Sequence, residues 1–209
     1  MDAGLKRELE AKVYAGDRLT RAEGEALYAS DDLAWLGRLA HHRRTELNGD
    51  RVTFFAGPQS EAASMIYGDR ESPADRVDQV LRLRDQQDGN GAVPALVLVR
   101  HQPAGDGTAA APTETLKTFA VSRLLLDNVR HVTCSWASHS LPVAQLTLNF
   151  GADDLAGPAE AAETDDLLTL IWDAGFRPVE RTADHEVVRE HEPAPSLAGR
   201  RSEPQQVWA

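Results

Sequence analysis

Residues 93–99 place the strongest constraint on what this chain can fold into. The stretch Val-Pro-Ala-Leu-Val-Leu-Val is apolar throughout, without the apolar and polar alternation of a strand that has one face in water. Continuous apolar strands are typical of parallel sheets that helices cover on both faces. The run therefore predicts an α/β fold.

Helical and strand patterns alternate along the rest of the chain. The patterns predict helices over residues 5–14, 21–29, 33–44, 73–87, 113–128, 141–150 and 165–174. They predict strands over residues 52–55, 62–67, 93–99 and 132–136, with residues 177–189 as a last strand or an extended arm. Residues 141–150 also fit a strand, but Ser140 and Pro142 favour the start of a helix. The alternation implies a parallel sheet with right-handed crossovers.

Charge and hydropathy exclude several classes of function. The chain carries 22 Lys and Arg against 33 Asp and Glu, a net charge of −11, which opposes binding to nucleic acid phosphates. Its apolar runs are too short for a membrane span, and its charged first ten residues lack the apolar core of a signal peptide. We therefore expect a cytoplasmic protein with neither nucleic acid nor membrane as a partner.

Cysteine and histidine spacing gives no metal site. Cys134 is the only cysteine, and one thiol can neither close an intrachain disulfide nor alone hold a zinc ion or an iron–sulfur cluster. His185 and His191 lie six residues apart among acidic residues, and that spacing does not put both on one helical face. We therefore predict no metal ligands.

Several motifs, taken in order, resemble one enzyme family. They are Arg18-Leu-Thr, residues 26–33, 36–40 and 48–52, Met65-Ile-Tyr-Gly with Glu71 and Pro73, residues 76–88, His101 and Pro103, residues 120–128, Trp136, and Phe150-Gly-Ala-Asp-Asp-Leu. Together they resemble the radical S-adenosylmethionine enzymes of menaquinone synthesis by the futalosine route, with aminofutalosine synthase as the nearest. The resemblance covers most of residues 18–155 and implies a β/α barrel.

The chain departs from this family where the family carries its cofactor. The first strand of the family leads into a CxxxCxxC loop, whose thiolates hold a [4Fe-4S] cluster beside S-adenosylmethionine. Here residues 56–61 lead directly into a segment that resembles the sixth strand, and no cysteine is present in this join. We therefore expect no cofactor, and an internally truncated, partial TIM-type β/α barrel with an N-terminal helical extension.

Candidate site residues follow from the rule that barrel enzymes act at the carboxyl ends of their strands. The rule and the resemblance together select seven residues as ligand-binding candidates: Tyr67, Asp69, Glu71, His101, Trp136, Asp153 and Asp154. Each could instead be a loop residue with local hydrogen bonds only, and an Asp-Asp pair also suits a helix or turn cap. The sequence identifies no catalytic residue.

Three functions remain open from the sequence. The first is a degenerate, cluster-less relative of aminofutalosine synthase that is not catalytic by itself. The second is a non-redox enzyme or binding protein that uses the remaining barrel mouth, and the third is a scaffold that pairs with an intact synthase. An incomplete barrel leaves two unpaired sheet edges, so we expect a homo-oligomer or a complex with an intact family member. The predicted units are residues 1–50 as the helical extension, 51–190 as the partial barrel and 191–209 as a disordered tail.

Overall fold

The computed structural model describes residues 1–57, 63–68, 70–103 and 110–193. Most of the predicted tail therefore lies outside the described residues, and the division into three units stays a prediction. No helix in the described part is both long enough and apolar enough to cross a membrane.

The described residues form seven α-helices. They are α1 (Ala3–Ala15), α2 (Arg21–Tyr28), α3 (Leu33–Asn48), α4 (Pro73–Asn90), α5 (Pro112–Leu125), α6 (Leu141–Thr147) and α7 (Thr164–Asp173). Capping boxes fix the starts of α2, where Thr20 pairs with Glu23, and of α4, where Ser72 pairs with Asp75. The helical interpretation of residues 141–150 is confirmed, since α6 continues into a 3₁₀ turn over Leu148–Phe150.

The strands form one sheet. They are β1 (Arg51–Ala56), β2 (Ala63–Tyr67), β3 (Ala95–Arg100), β4 (His131–Ser135), β5 (Asp154–Gly157), β6 (Arg177–Arg181) and β7 (Val187–Glu190). Their order in the sheet is β2-β3-β4-β5-β1-β6-β7, and every neighbouring pair is parallel except β6 and β7. The α/β class and the partial barrel with an N-terminal helical region are confirmed.

Strand β1 lies inside the sheet. It pairs with β5 on one side and with β6 on the other. In a closed eight-stranded barrel, the first strand pairs with the eighth and the second. Here β6, from the end of the described chain, takes the place of the second strand. The sheet therefore stays open between its edge strands β2 and β7.

The two faces of the sheet differ in chemistry. Val52 and Phe54 of β1 point to the helices and join one apolar core that includes Leu9 and Leu36 of the N-terminal helices. The opposite face carries Thr53 and other polar side chains of the central strands. The N-terminal helices are thus packed into the same core as the sheet, and the polar side chains of the central strands lie on its opposite, inner face.

Candidate functional site

A buried tyrosine–histidine pair lies at the carboxyl end of the sheet. Tyr67 ends β2, and its hydroxyl lies 2.8 Å from Nε2 of His139, in the loop after β4, and 3.1 Å from Oγ1 of Thr115 on α5. Nδ1 of His139 lies 2.8 Å from the carbonyl oxygen of Ser135. A carbonyl only accepts, so Nδ1 carries the hydrogen and Nε2 accepts one from Tyr67.

Both members of this pair are neutral at physiological pH. Burial lowers the pKa of His139 and raises the pKa of Tyr67, since both charged forms are poorly solvated in this position. They bond to each other, and further to the Thr115 hydroxyl and the Ser135 carbonyl. The pair therefore ties the β4 loop to β2 and α5.

An arginine beside this pair gathers two carboxylates. Nε of Arg76 donates to Oε1 of Glu71 at 2.8 Å, and its Nη2 pairs with Glu114 at 2.5 Å. The backbone N–H of Gly68 also donates to Glu71. The Arg76 guanidinium lies over the Tyr67 ring, 5.5 Å from its centroid. Glu71 thus holds the turn after β2 onto α4, which is a structural role.

The other candidates at this end have different surroundings. Asp69 lies outside the described residues. The backbone N–H of His101 donates to the Tyr67 carbonyl at 2.8 Å, so these two candidates are neighbours. The Trp136 indole donates to the Pro158 carbonyl at 3.2 Å and lies beside an open groove of about 540 Å³. That groove is lined mainly by small residues at the ends of β1, β4 and β5, and Glu160 is the one charged side chain among the described residues that line it.

Asp153 and Asp154 do not lie at the carboxyl end of the sheet, the mouth of the partial barrel, and the expectation that they would is wrong. Asp153 precedes β5 and Asp154 is its first residue, so both stand at the amino end of that strand. Strand β5 was not predicted, and without it the pair was interpreted as a segment that follows a strand. The structure brings Tyr67, Glu71 and His101 together but places the two aspartates at the other end of the sheet.

Each of the two aspartates compensates a buried arginine. Asp153 binds Nη2 of Arg123 at 2.5 Å and Nδ1 of His131 at 2.6 Å. Asp154 makes two 2.6 Å bonds to Arg181 and accepts from the hydroxyl of Thr133. Burial raises the pKa of Asp153, but the charges of Arg123 and His131 outweigh it, so the pKa lies below its ordinary value.

Sequence reasoning missed the partners of these residues. His139 follows Trp136 by three residues in the same loop after a strand, so the strand-end rule could have found it. Arg123 and Arg181 lie within predicted elements, where nothing in the sequence distinguishes a buried arginine from an exposed one. His185 and His191, considered together as metal ligands, are apart: His185 stacks on His131, and His191 packs near Phe54.

The chain has a single cysteine that could act as a ligand of an iron–sulfur cluster. Cys134, the single cysteine, lies within β4, is fully buried and belongs to the apolar core. Burial raises the pKa of its thiol to about 12, which disfavours the thiolate that iron requires. In the described part of the chain, no group of three His, Cys, Asp or Glu could hold a metal ion. This chain's own residues therefore do not fit a cysteine-ligated [4Fe-4S] cluster.

Comparisons with known proteins give two kinds of similarity. No family model matches the chain. Aminodeoxyfutalosine synthase from Streptomyces coelicolor is 30% identical over 386 aligned positions, which cover 98% of this chain and 99% of that protein. Cyclic dehypoxanthine futalosine synthase from Halalkalibacterium halodurans is 32% identical over 146 residues, covering 62% of this chain and only 40% of that relative.

Among solved structures, the FeFe-hydrogenase maturase HydG from Carboxydothermus hydrogenoformans superposes with a TM-score of 0.67. The match covers 87% of this chain and 81% of that chain at 10% identity. At that identity the similarity concerns the fold alone.

Proposed function

This chain belongs to the family of aminodeoxyfutalosine synthase, an enzyme of menaquinone biosynthesis, and we propose that it does not carry out the family's radical reaction by itself. It serves instead as an accessory member of that pathway.

Family membership corrects one expectation from the sequence. We expected no cofactor, and that expectation is wrong for a member of a family whose enzymes use S-adenosylmethionine and a [4Fe-4S] cluster. The family implies these cofactors, while the single buried Cys134 does not supply three thiolates.

The observation that carries the proposal is the join between β1 and β2. Residues 57–62 are all that separates these strands, and they contain no cysteine. The 386 aligned positions of the first relative far exceed the 209 residues of this chain, which supports an internal omission. The place of β6 beside β1 supports the same reading, because a strand from the far end fills the gap.

The polar groups at the mouth also support a non-catalytic role. Tyr67 and His139 are hydrogen-bonded to each other, His139 also to the Ser135 carbonyl, and Arg76 to Glu71. A non-redox enzyme that combined Glu71 and His101 with Asp153 or Asp154 is not favoured, since the two groups lie at opposite ends of the sheet. Alanine substitution of His101 that weakened binding of a ligand would revive that alternative.

A second candidate function is that of a scaffold for an intact synthase. Strand β2 forms one edge of the sheet, and Ile66 on this strand is 60% exposed. Edge strands with exposed apolar side chains add readily to another sheet. We expect such pairing to be abolished by a charge at this position, and co-elution of the chain with the Streptomyces enzyme is its direct test.

The experiment that tests the main proposal measures cleavage of S-adenosylmethionine. The purified chain is incubated anaerobically with iron, sulfide, a strong reductant and S-adenosylmethionine, and the Streptomyces enzyme serves as the positive control. We expect no cleavage above the protein-free background from this chain. Cleavage at a rate within about tenfold of the control would refute the proposal.

A further inference from the structure

A cavity of about 400 Å³ lies at the amino end of the sheet, remote from the mouth. Its lining comes from the amino ends of β1 and β4, the residue before β3, and the turn between β6 and β7. A volume of this size is within the range of small-molecule sites. The proposed function uses none of these residues, so the two proposals are independent.

Two stacked imidazoles form one wall of this cavity. The rings of His131 and His185 are nearly parallel, with centroids 4.8 Å apart and an interplanar angle of 6°. Asp153 accepts from Nδ1 of His131, which fixes that ring, and we find no hydrogen bond to its Nε2 within the described residues. The Asp153–His131 pair thus turns a polar nitrogen away from the interior.

His185 is held in a costly conformation. Its φ of +62° is the only positive value for a non-glycine among the described residues, and such strain concentrates at functional sites. Its Nδ1 is buried and has no hydrogen-bond partner in the described part of the chain. An unpaired buried nitrogen costs free energy that a ligand could recover.

The charges around the cavity favour an anion. Arg51 and Arg130 both line it, and Arg130 is exposed with no ion pair in the portion the structure describes. Arg51 shares its charge with Glu190 at 2.8 Å, in an exposed pair. The Asp153 carboxylate also lines the cavity, but it is 1% exposed and already compensated by Arg123. The local excess is positive in a chain whose net charge is −11.

The remaining lining residues are two polar ones, Asn48 and Thr53, and two apolar ones, Pro94 and Val187. Val187 is 53% exposed, an unusual exposure for a large aliphatic residue, and Pro94 stands beside the cavity in the approach to β3. We propose that this cavity binds a small organic carboxylate with an apolar body, its carboxylate at Arg130 and its body against Val187 and Pro94.

The test uses two probes with the same linear six-carbon skeleton, one ending in a carboxylate and the other in a neutral alcohol. Hexanoate and hexanol are titrated into the ¹⁵N-labelled protein, and the imidazole and backbone signals are followed by NMR. We expect saturable shifts of the His131 and His185 signals with hexanoate and none with hexanol. Equal binding of both probes, or shifts confined to other regions, would overturn the proposal, as would no binding of either.

Arginine variants separate this site from general charge effects. Arg130→Gln removes the exposed cation and should weaken hexanoate binding about threefold to fivefold, as expected for an exposed charge pair. Arg82→Gln, at an exposed arginine on α4, is the matched control and should leave the affinity unchanged. Equal weakening by both variants would show that only the net charge matters, and would also overturn the proposal.

Discussion

Asp153 stabilises a cation that has no access to water. Its partner Arg123 is fully buried, and the other N–H groups of this guanidinium donate to backbone carbonyls, including that of Gly151. The arrangement satisfies the buried charge from every side. Removal of the carboxylate would leave a buried cation without its counter-charge.

We therefore expect Asp153→Asn to lower the free energy of unfolding by about 3–5 kcal/mol, as breaking a buried ion pair does. Urea denaturation at pH 7.5 measures the change. Asp85→Asn, an exposed position on α4, is the control and should change stability by less than about 0.5 kcal/mol. A loss below about 1 kcal/mol in Asp153→Asn would contradict the importance given to this pair.

The pH dependence of stability should reveal His185. Burial lowers its pKa from 6.5 to about 4, so between these values the unfolded chain binds the proton that the folded chain excludes. Stability contributed by the neutral ring is complete above pH 6.5 and is lost as the pH falls towards about 4. His185→Asn suits the positive φ and removes this loss.

The measurement compares urea denaturation of the wild type and His185→Asn at pH 7.5 and pH 5.0. After allowance for partial exposure, we expect the variant to lose about 1 kcal/mol less than the wild type on acidification. Histidines remote from this position are common to both proteins and cancel in this difference, whereas His131, which stacks on His185, loses its neighbour in the variant. Equal losses would mean that His185 titrates normally.

Individual residues show where sequence reasoning reached its limit. The placement of Tyr67 at a strand end was predictable from its own segment. Its partner His139 is 72 residues away, and no local pattern specifies such a contact. The aspartate pair was identified as chemically important, but its end of the sheet depended on a short strand that the pattern did not reveal.

At the scale of elements, the loop after β4 packs directly on the end of β5. A Cβ built at Gly157 would come within 2.5 Å of the Trp136 indole, closer than any real contact. The glycine therefore permits an approach that closes one side of the groove at the mouth.

We expect Gly157→Ala to displace the indole and to destabilise the protein by about 1–3 kcal/mol, the usual cost of overpacking. Urea denaturation gives the stability, and a shift of the tryptophan emission maximum reports the displacement. Gly89→Ala is the control, since a Cβ at Gly89 in α4 meets nothing within 4 Å. Similar results for both variants would contradict the steric explanation.

Helices were easier to predict than strands for a physical reason. Side chains within one segment determine a capping box such as Ser72 with Asp75, so the sequence specifies the start of α4. Helix α5 begins at Pro112 with Ala111 at its cap position, one residue before the predicted start and without a side-chain cap. The four residues of β5 gain their structure from β1 and β4 on either side, which a local pattern does not contain.

At the scale of the molecule, the open edge at β2 should govern association. Ile66 is exposed on this edge strand, and covering it in a second copy would bury apolar surface and pair backbone groups. The chain alone is therefore expected to have a mass of about twice 22.8 kDa in light scattering after size-exclusion chromatography.

Ile66→Lys should return the mass to that of a single chain, because a lysine on an edge opposes strand pairing. Leu146→Lys, at a comparably exposed residue on α6, should leave the dimer intact. A wild-type monomer, or a dimer that persists in Ile66→Lys, would show that this edge is not the association surface.

The partial barrel was predictable because the sequence resembles a barrel family while lacking the length of a barrel. The sequence did not reveal which strand would pair with β1 in place of the missing ones. The pairing of Arg51 with Arg177 in the register of β1 and β6 spans most of the described chain, and only the folded sheet determines it.

The position of β1 also has a consequence for how the chain folds as it is synthesised. Both of its neighbours, β5 and β6, leave the ribosome about a hundred residues or more after β1 itself. The strand must remain unpaired during that interval, with Val52 and Phe54 available to unwanted partners. A sheet in which an interior strand is made first and paired last closes slowly, since its contacts are distant in sequence. Chaperone dependence during synthesis is the expected cost of this topology.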